Sequence, residues 1–288
     1  MNRTVAKFLI DEDLHLTADV MGDGRRGTVM LAHGGGQTRH SWAATAERLA
    51  GRGWRAVSLD LRGHGESAWA ADGDYHLERF AEDLIAVAEN LPDQPALIGA
   101  SLGGMAGMMV EALLAPGTFS SLTLVDIVPR SDPEGVEKIM AFMNANLEHG
   151  FESLEAAADS IATYLPHRPR PKDLSGLGKN LRLGEDGRYR WHWDPRFVTG
   201  VRGGRSRHPM EDFEARCSHI AIPVHLIRGR MSELVSLEAA KAFVAGLPNG
   251  AFTDVADAGH MVAGDRNDIF LDAAIAFLER QGEAGARG

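Results

Sequence analysis

A serine hydroxyl is a weak nucleophile, and three separate pieces of this chain have the residue types that would activate one. The first is Gly99-Ala100-Ser101-Leu102-Gly103-Gly104, a Gly-x-Ser-x-Gly pattern between an apolar run at Ala96–Ile98 and a helix-like pattern that begins at Leu102. A serine on a sharp strand-to-helix turn sits in strained backbone, and the residues two before and two after it crowd each other. Gly99 and Gly103 relieve that crowding, and the amides opening the helix face the reacting centre. An inert glycine turn would use the same letters; the strand–turn–helix setting is what favours a nucleophile. The second piece is His33-Gly34-Gly35-Gly36-Gln37, after another apolar run. Acyl transfer develops a negative oxygen, and a glycine loop lets backbone N–H groups approach it with no side chain in the way. Gly35 is the first choice of donor and Leu102 the second. A phosphate cradle is the competing reading of that loop, but no Gly-Lys-Ser/Thr ending follows it. The third piece is Asp257-Ala258-Gly259-His260, in a loop after the last strand-like run. Most of the 12 histidines must be structural; His260 stands out because it falls late, as the chain order serine, acid, histidine requires.

Short apolar runs at Thr28–Ala32, Arg55–Leu59, Ala96–Ile98 and Leu122–Val125 read as buried strands. Helix-like patterns at Trp42–Ala50, Leu77–Asn90 and Leu102–Leu114 separate them, a rhythm that predicts an α/β fold with a parallel, doubly wound sheet. Alternation from Phe8 to Val20 suggests an N-terminal hairpin. After Pro129 the pattern changes to helices and loops, with helix candidates at Glu134–Leu147 and Leu154–Tyr164 and no convincing strand. Strand–helix alternation resumes at Pro223–Ile227 and runs through Leu237–Leu247 and Phe252–Val255 to Ile269–Arg280. The chain therefore divides into a core at residues 1–129 and 220–280, a helical cap at 130–219, and a small polar tail at 281–288 expected to be flexible.

A length of 288 residues with 44% hydrophobic and 24% charged side chains suits one large domain with an insert, needing neither disulfide nor structural metal to fold. Cys217 is alone, which points to a reducing, cytoplasmic setting. The N-terminus has no apolar run behind a basic start, and no window reaches the ~18 apolar residues of a membrane span, so neither export nor membrane insertion is expected. A net charge of −10 with scattered Lys and Arg argues against a nucleic-acid partner. No zinc-site spacing and no Gly-x-Gly-x-x-Gly fingerprint is present, so no metal and no nucleotide cofactor is expected. The acidic composition and the cap helices permit a homodimer without requiring one.

Together with Asp60-Leu61-Arg62-Gly63-His64-Gly65-Glu66-Ser67, these motifs, in this order, resemble the α/β-hydrolase superfamily over nearly all of Phe8 to Arg280. The resemblance implies a mainly parallel eight-stranded sheet with a helical cap after Pro129. It is nearest to small-molecule esterases, cofactor-free perhydrolases, epoxide hydrolases and dehalogenases. In the last two the nucleophile is an aspartate, so Ser101 argues against both. The Asp60–Ser67 motif, His64 included, reads as loop-shaping. The family's triad also needs a carboxylate to hold the histidine, often an Asp three residues beyond a glycine after the first strand behind the cap. Here Ser232 has that spacing from Gly229, and Glu233 follows it. Glu233 is the choice, with Asp126, at the end of Leu122–Val125, as the rival. Arg39 and His40, just after the glycine loop, and Trp191 and Trp193, in the cap, are the candidate pocket residues; the two tryptophans would equally pin cap to core. The implied activity is hydrolysis of a small, largely apolar carboxylic ester through an acyl-enzyme on Ser101, with His260 and Glu233. The same residues could cleave a C–C bond or make peracids, and a third reading is a ligand-binding protein on a hydrolase scaffold.

Overall fold

The structure, a computed structural model, describes residues 2–164, 170, 173–200, 208–260 and 267–285. Eight strands form one sheet: β1 (Arg3–Leu9), β2 (His15–Met21), β3 (Thr28–Ala32), β4 (Arg55–Leu59), β5 (Ala96–Ala100), β6 (Leu122–Val125), β9 (Val224–Gly229) and β10 (Gly250–Val255). Their order is β1-β2-β4-β3-β5-β6-β9-β10. β1 and β2 are the antiparallel hairpin expected from the sequence, with β2 antiparallel to β4, and every pairing from β4 onward is parallel.

β3 shows why a parallel strand reads as an unbroken apolar run. All five of its residues are buried, because helices cover both faces. Met30 and Ala32 face one core, shared with α2 (Leu77–Glu89), α3 (Leu102–Met109), α8 (Met210–Cys217) and α9 (Leu237–Ala245). Val29 and Leu31 face the other, against α1 (Ala43–Gly51) and α10 (Asn267–Gly285). The sheet is doubly wound as expected, and the C-terminal ends of its central parallel strands all open on one edge. None of the described helices is long and apolar enough to cross a membrane.

Between β6 and β9 the chain leaves the sheet for the segment expected as a cap. It holds α4 (Pro133–Asn144), capped by the Asp132 side chain, α5 (Leu154–Tyr164), and the single turns α6 (Ser175–Gly178) and α7 (Arg196–Thr199). α8 lies within the 130–219 segment but packs with the core, Phe213 and Cys217 being buried in it. Two expectations need correction here. The cap contains strands: β7 (Leu181–Leu183) pairs antiparallel with β8 (Tyr189–Trp191). Three residues are too few to set a period of two, so this hairpin left no pattern to read. The tail is also not wholly loose, since α10 continues to Gly285; 286–288 lie outside the described residues.

Candidate active site

Ser101 occupies the turn between β5 and α3 with φ 45° and ψ −112°, a left-handed conformation that side-chain-bearing residues rarely adopt. The glycines around it are there because nothing larger fits. A Cβ on Gly99 would lie 2.6 Å from the carbonyl of Gly103, and one on Gly103 would lie 2.5 Å from the carbonyl oxygen of Ala32. α3 is thereby pressed onto β5 and β3. Ser101 is the N-cap of α3, yet its hydroxyl makes no capping bond and stays available.

Asp126 follows β6, the neighbour of β5, also at positive φ (50°), with its side chain wholly buried. Its Oδ2 lies 2.8 Å from Nδ1 of His260. The same oxygen accepts a 2.5 Å hydrogen bond from Ser232 Oγ, and Oδ1 accepts one of 3.0 Å from the Gly229 amide. Glu233, preferred on sequence grounds, is not the partner of His260. Its side chain is 59% exposed and lies 3.6 Å from Lys138. The physical reason is the path of the chain after β9: the turn at 230–235 sends Ser232 inward to Asp126 and Glu233 out to solvent. The His260 loop is fastened to that turn by a hydrogen bond from Met231 N to Ala258 O (2.9 Å). Gly229 allows the approach, since a Cβ there would sit 2.1 Å from the Gly259 oxygen.

His260 spends Nδ1 on Asp126, which leaves Nε2 as the ring nitrogen for a substrate or for Ser101. Among the described residues no hydrogen bond joins Ser101 Oγ to His260. Such bonds are often long before substrate binds.

The glycine loop lies directly against the serine: a Cβ on Gly34 would be 3.3 Å from Ser101 Cβ. The Gly34 amide donates to Gln37 Oε1 (3.2 Å) and the Gly36 amide to His64 Nε2 (3.1 Å). The Gly35 amide donates to no described residue, and neither does that of Leu102, which opens α3 where no intrahelical acceptor exists. The amides of Gly35 and Leu102, the donors singled out from the sequence, therefore meet no acceptor among the described residues.

His33 and His64 brace this loop. Each has Nδ1 facing a carbonyl (Gly34 O, 2.8 Å; Arg62 O, 2.9 Å) and accepts a backbone N–H at Nε2, from Leu61 and Gly36 respectively. Those contacts fix the neutral tautomer, and burial pushes His33 down to about 4 and His64 to about 3. His64 therefore shapes the loop, as its motif suggested.

Arg39 does not face the serine. Its guanidinium is buried and shared among Asp19, Asp60 and Glu66. With His40 it lines a polar recess of about 220 Å³ beside Lys179 and His192, and none of Ser101, Gly35 or His260 lines that recess. Trp191 and Trp193 are stacked 4.9 Å apart and buried in the cap cluster with Met143 and Phe151. Trp193 still reaches the glycine loop, 3.2 Å from where a Cβ of Gly36 would be. Phe197, on α7, was not legible as a site residue. Its ring is 3.2 Å from the Cβ position of Gly35 and edge-on to His64 at 4.8 Å. Only an aromatic residue beside the Asp194-Pro195 turn marks it in the sequence.

Residues 27–266 match the sequence profile of the alpha/beta hydrolase fold. The chain belongs to the α/β-hydrolase family. It is an enzyme, a hydrolase of that family. Among its relatives is esterase Rv0045c of Mycobacterium tuberculosis, 31% identical over 215 residues, covering 72% of this chain and 67% of the relative. The 3-hydroxybutyrate-oligomer hydrolase of Cupriavidus necator is 28% identical over 248 residues, covering 81% and 82%. Among solved structures, E-2-(acetamidomethylene)succinate hydrolase superposes with a TM-score of 0.82 at 21% identity, over 96% of this chain and all of that one, a likeness of fold.

Proposed function

We propose that this α/β hydrolase cleaves a small, largely apolar carboxylic ester through an acyl-enzyme on Ser101, with His260 as base and Asp126 as the acid of the triad. The observation that carries the reading is the 2.8 Å bond between Asp126 and His260 Nδ1, at the strand ends flanking a serine held at φ 45°. Ser101 Oγ attacks the ester carbonyl as its proton passes to His260 Nε2. Asp126 orients the ring and stabilises the imidazolium. The tetrahedral oxygen takes up the free N–H groups of Gly35 and Leu102. Collapse expels the alcohol, which leaves with the proton held by His260. Water, deprotonated by His260, then attacks the acyl group, and the acid departs as Ser101 recovers its proton. An apolar substrate is supported by the cap side chains nearest the glycine loop, Met143, Trp193 and Phe197, and an ester by the relatives named as an esterase and an oligomer hydrolase.

Ser101→Ala is expected to abolish hydrolysis of short p-nitrophenyl esters while leaving the thermal unfolding midpoint within a few degrees of wild type. Retained turnover in the folded variant would end this reading.

A further inference from the structure

The carboxylate that faces His260 is itself gripped by a residue outside the triad. Ser232 Oγ lies 2.5 Å from Asp126 Oδ2, the oxygen that also meets His260 Nδ1. The same Oγ accepts two backbone hydrogen bonds, from the amides of Leu234 and Val235, both at 3.1 Å. A hydroxyl has one proton and two acceptor positions. Both acceptor positions are filled by amides that can only donate, so the proton has one direction left, toward Asp126. A serine free to rotate could turn away from the carboxylate; this one cannot. The Gly229 amide holds the other carboxylate oxygen at 3.0 Å, so the plane of the carboxylate is set from two sides by one turn of chain, 229–235.

We infer that Ser232 is a positioning residue: it holds Asp126 Oδ2 on the line to His260 Nδ1, and so sets the ring orientation in which Nε2 can serve Ser101. This rests on the triad reading above. Turnover should therefore depend on the donor at position 232 even though Ser232 makes its hydrogen bonds only to Asp126, Gly229, Leu234 and Val235 among the described residues, none of them in the glycine loop. A purely structural role, tying down the 232–235 turn, would show instead as lost stability with kcat preserved.

The test measures kcat and KM for a short p-nitrophenyl ester, together with the rate at which a fluorophosphonate labels Ser101, in wild type and three variants. Ser232→Cys keeps the volume but is a weak donor, so it should fold. It is expected, like Ser232→Ala, to lower kcat and the labelling rate about 10- to 100-fold, the range typical of groups that orient a functional ligand. KM should stay within about two-fold. Ser232→Thr keeps the hydroxyl and should retain at least about a third of wild-type kcat. A folded Ser232→Cys enzyme with wild-type kcat, or a threonine variant that falls as far as cysteine, overturns the inference. Wild type that neither labels at Ser101 nor turns over ester overturns the triad reading instead, so the two failures are told apart.

Discussion

On the core side of the site, Ser101, Asp126 and the 229–232 turn stand at the ends of three adjacent parallel strands. There the Ser101 amide bonds to Val125 O, and the Asp126 amide to Ile227 O, so each position is tied to the next strand. On the cap side, Met143, Trp193 and Phe197 come from elements that share no sheet with the core. They reach it through an aromatic cluster and a handful of polar contacts with the 60–75 loop. The Tyr75 hydroxyl donates to Asp194 (2.6 Å), the Asp194 amide to Gly63 O (2.8 Å), the Gly65 amide to His192 O (3.0 Å), and Arg196 reaches Ala70 O (2.8 Å). A ladder of backbone bonds has one register, whereas the cap is tied by one isolated backbone bridge, His64 to Trp193, and by side-chain contacts that can be remade one at a time. Chemistry that tolerates little misplacement belongs on the first, and substrate selection can be left to the second.

The sharpest way to break this contrast is to exchange the two candidate acids. Asp126→Asn should lower kcat by about 10³- to 10⁴-fold, the loss expected when a triad carboxylate no longer holds the right tautomer. Glu233→Gln, on an exposed side chain, should stay within about two-fold of wild type. Steady-state kinetics on one ester decides it, and equal losses would mean that the 229–235 turn is placed differently from what the hydrogen bonds here require.

The seam between the halves offers a smaller effect with a definite sign. His33 and His64 are depressed to about 4 and about 3 in the folded chain, whereas in the unfolded chain they titrate near 6.5. Below pH 6.5 the unfolded chain takes up protons that the native state refuses, so the stability from these two groups is complete above that pH and falls toward pH 4 and then 3. The loss by pH 4.5 should be on the order of a few kcal/mol. Urea unfolding at pH 7 and 4.5, in wild type and His64→Gln, would measure it; a variant that loses as much as wild type would show that His64 is not the group responsible.

Removing one stitch of the cap should do least. Tyr75→Phe leaves Asp194 its bonds from Arg196 but takes away the phenol donor and the acceptor for the Ala70 amide, for about 1–2 kcal/mol of stability. KM should rise more than kcat falls. If kcat falls by more than KM rises, the cap is not the separable part that its packing implies.

Much of this was legible in the chain itself because the signals are local. β3, β4 and β6 begin and end where their apolar runs do, since a strand buried on both faces admits few polar residues inside it, here only the small Thr28, Ser58 and Thr123 beside Arg55 at the start of β4. The elbow at Ser101 was legible because Gly99 answers a clash with Gly103 within five residues of chain, whereas Gly103 itself answers one with Ala32 on β3. The β7–β8 hairpin was not, being too short to carry a period. Phe197 was not, because an aromatic residue in a cap looks the same whether it faces a site or a core.

The α/β alternation, the segment that leaves the sheet between β6 and β9 and the strained turn at Ser101 could be read from the chain, because they rest mainly on neighbours a few residues away. Only the tertiary structure decided which carboxylate meets His260. Asp126 and Glu233 both follow strands that end on the same edge of the sheet. Which of them turns inward is set by the backbone path between Gly229 and Val235, where the amides of Leu234 and Val235 and the buried Asp126 carboxylate together claim Ser232 and leave Glu233 to water.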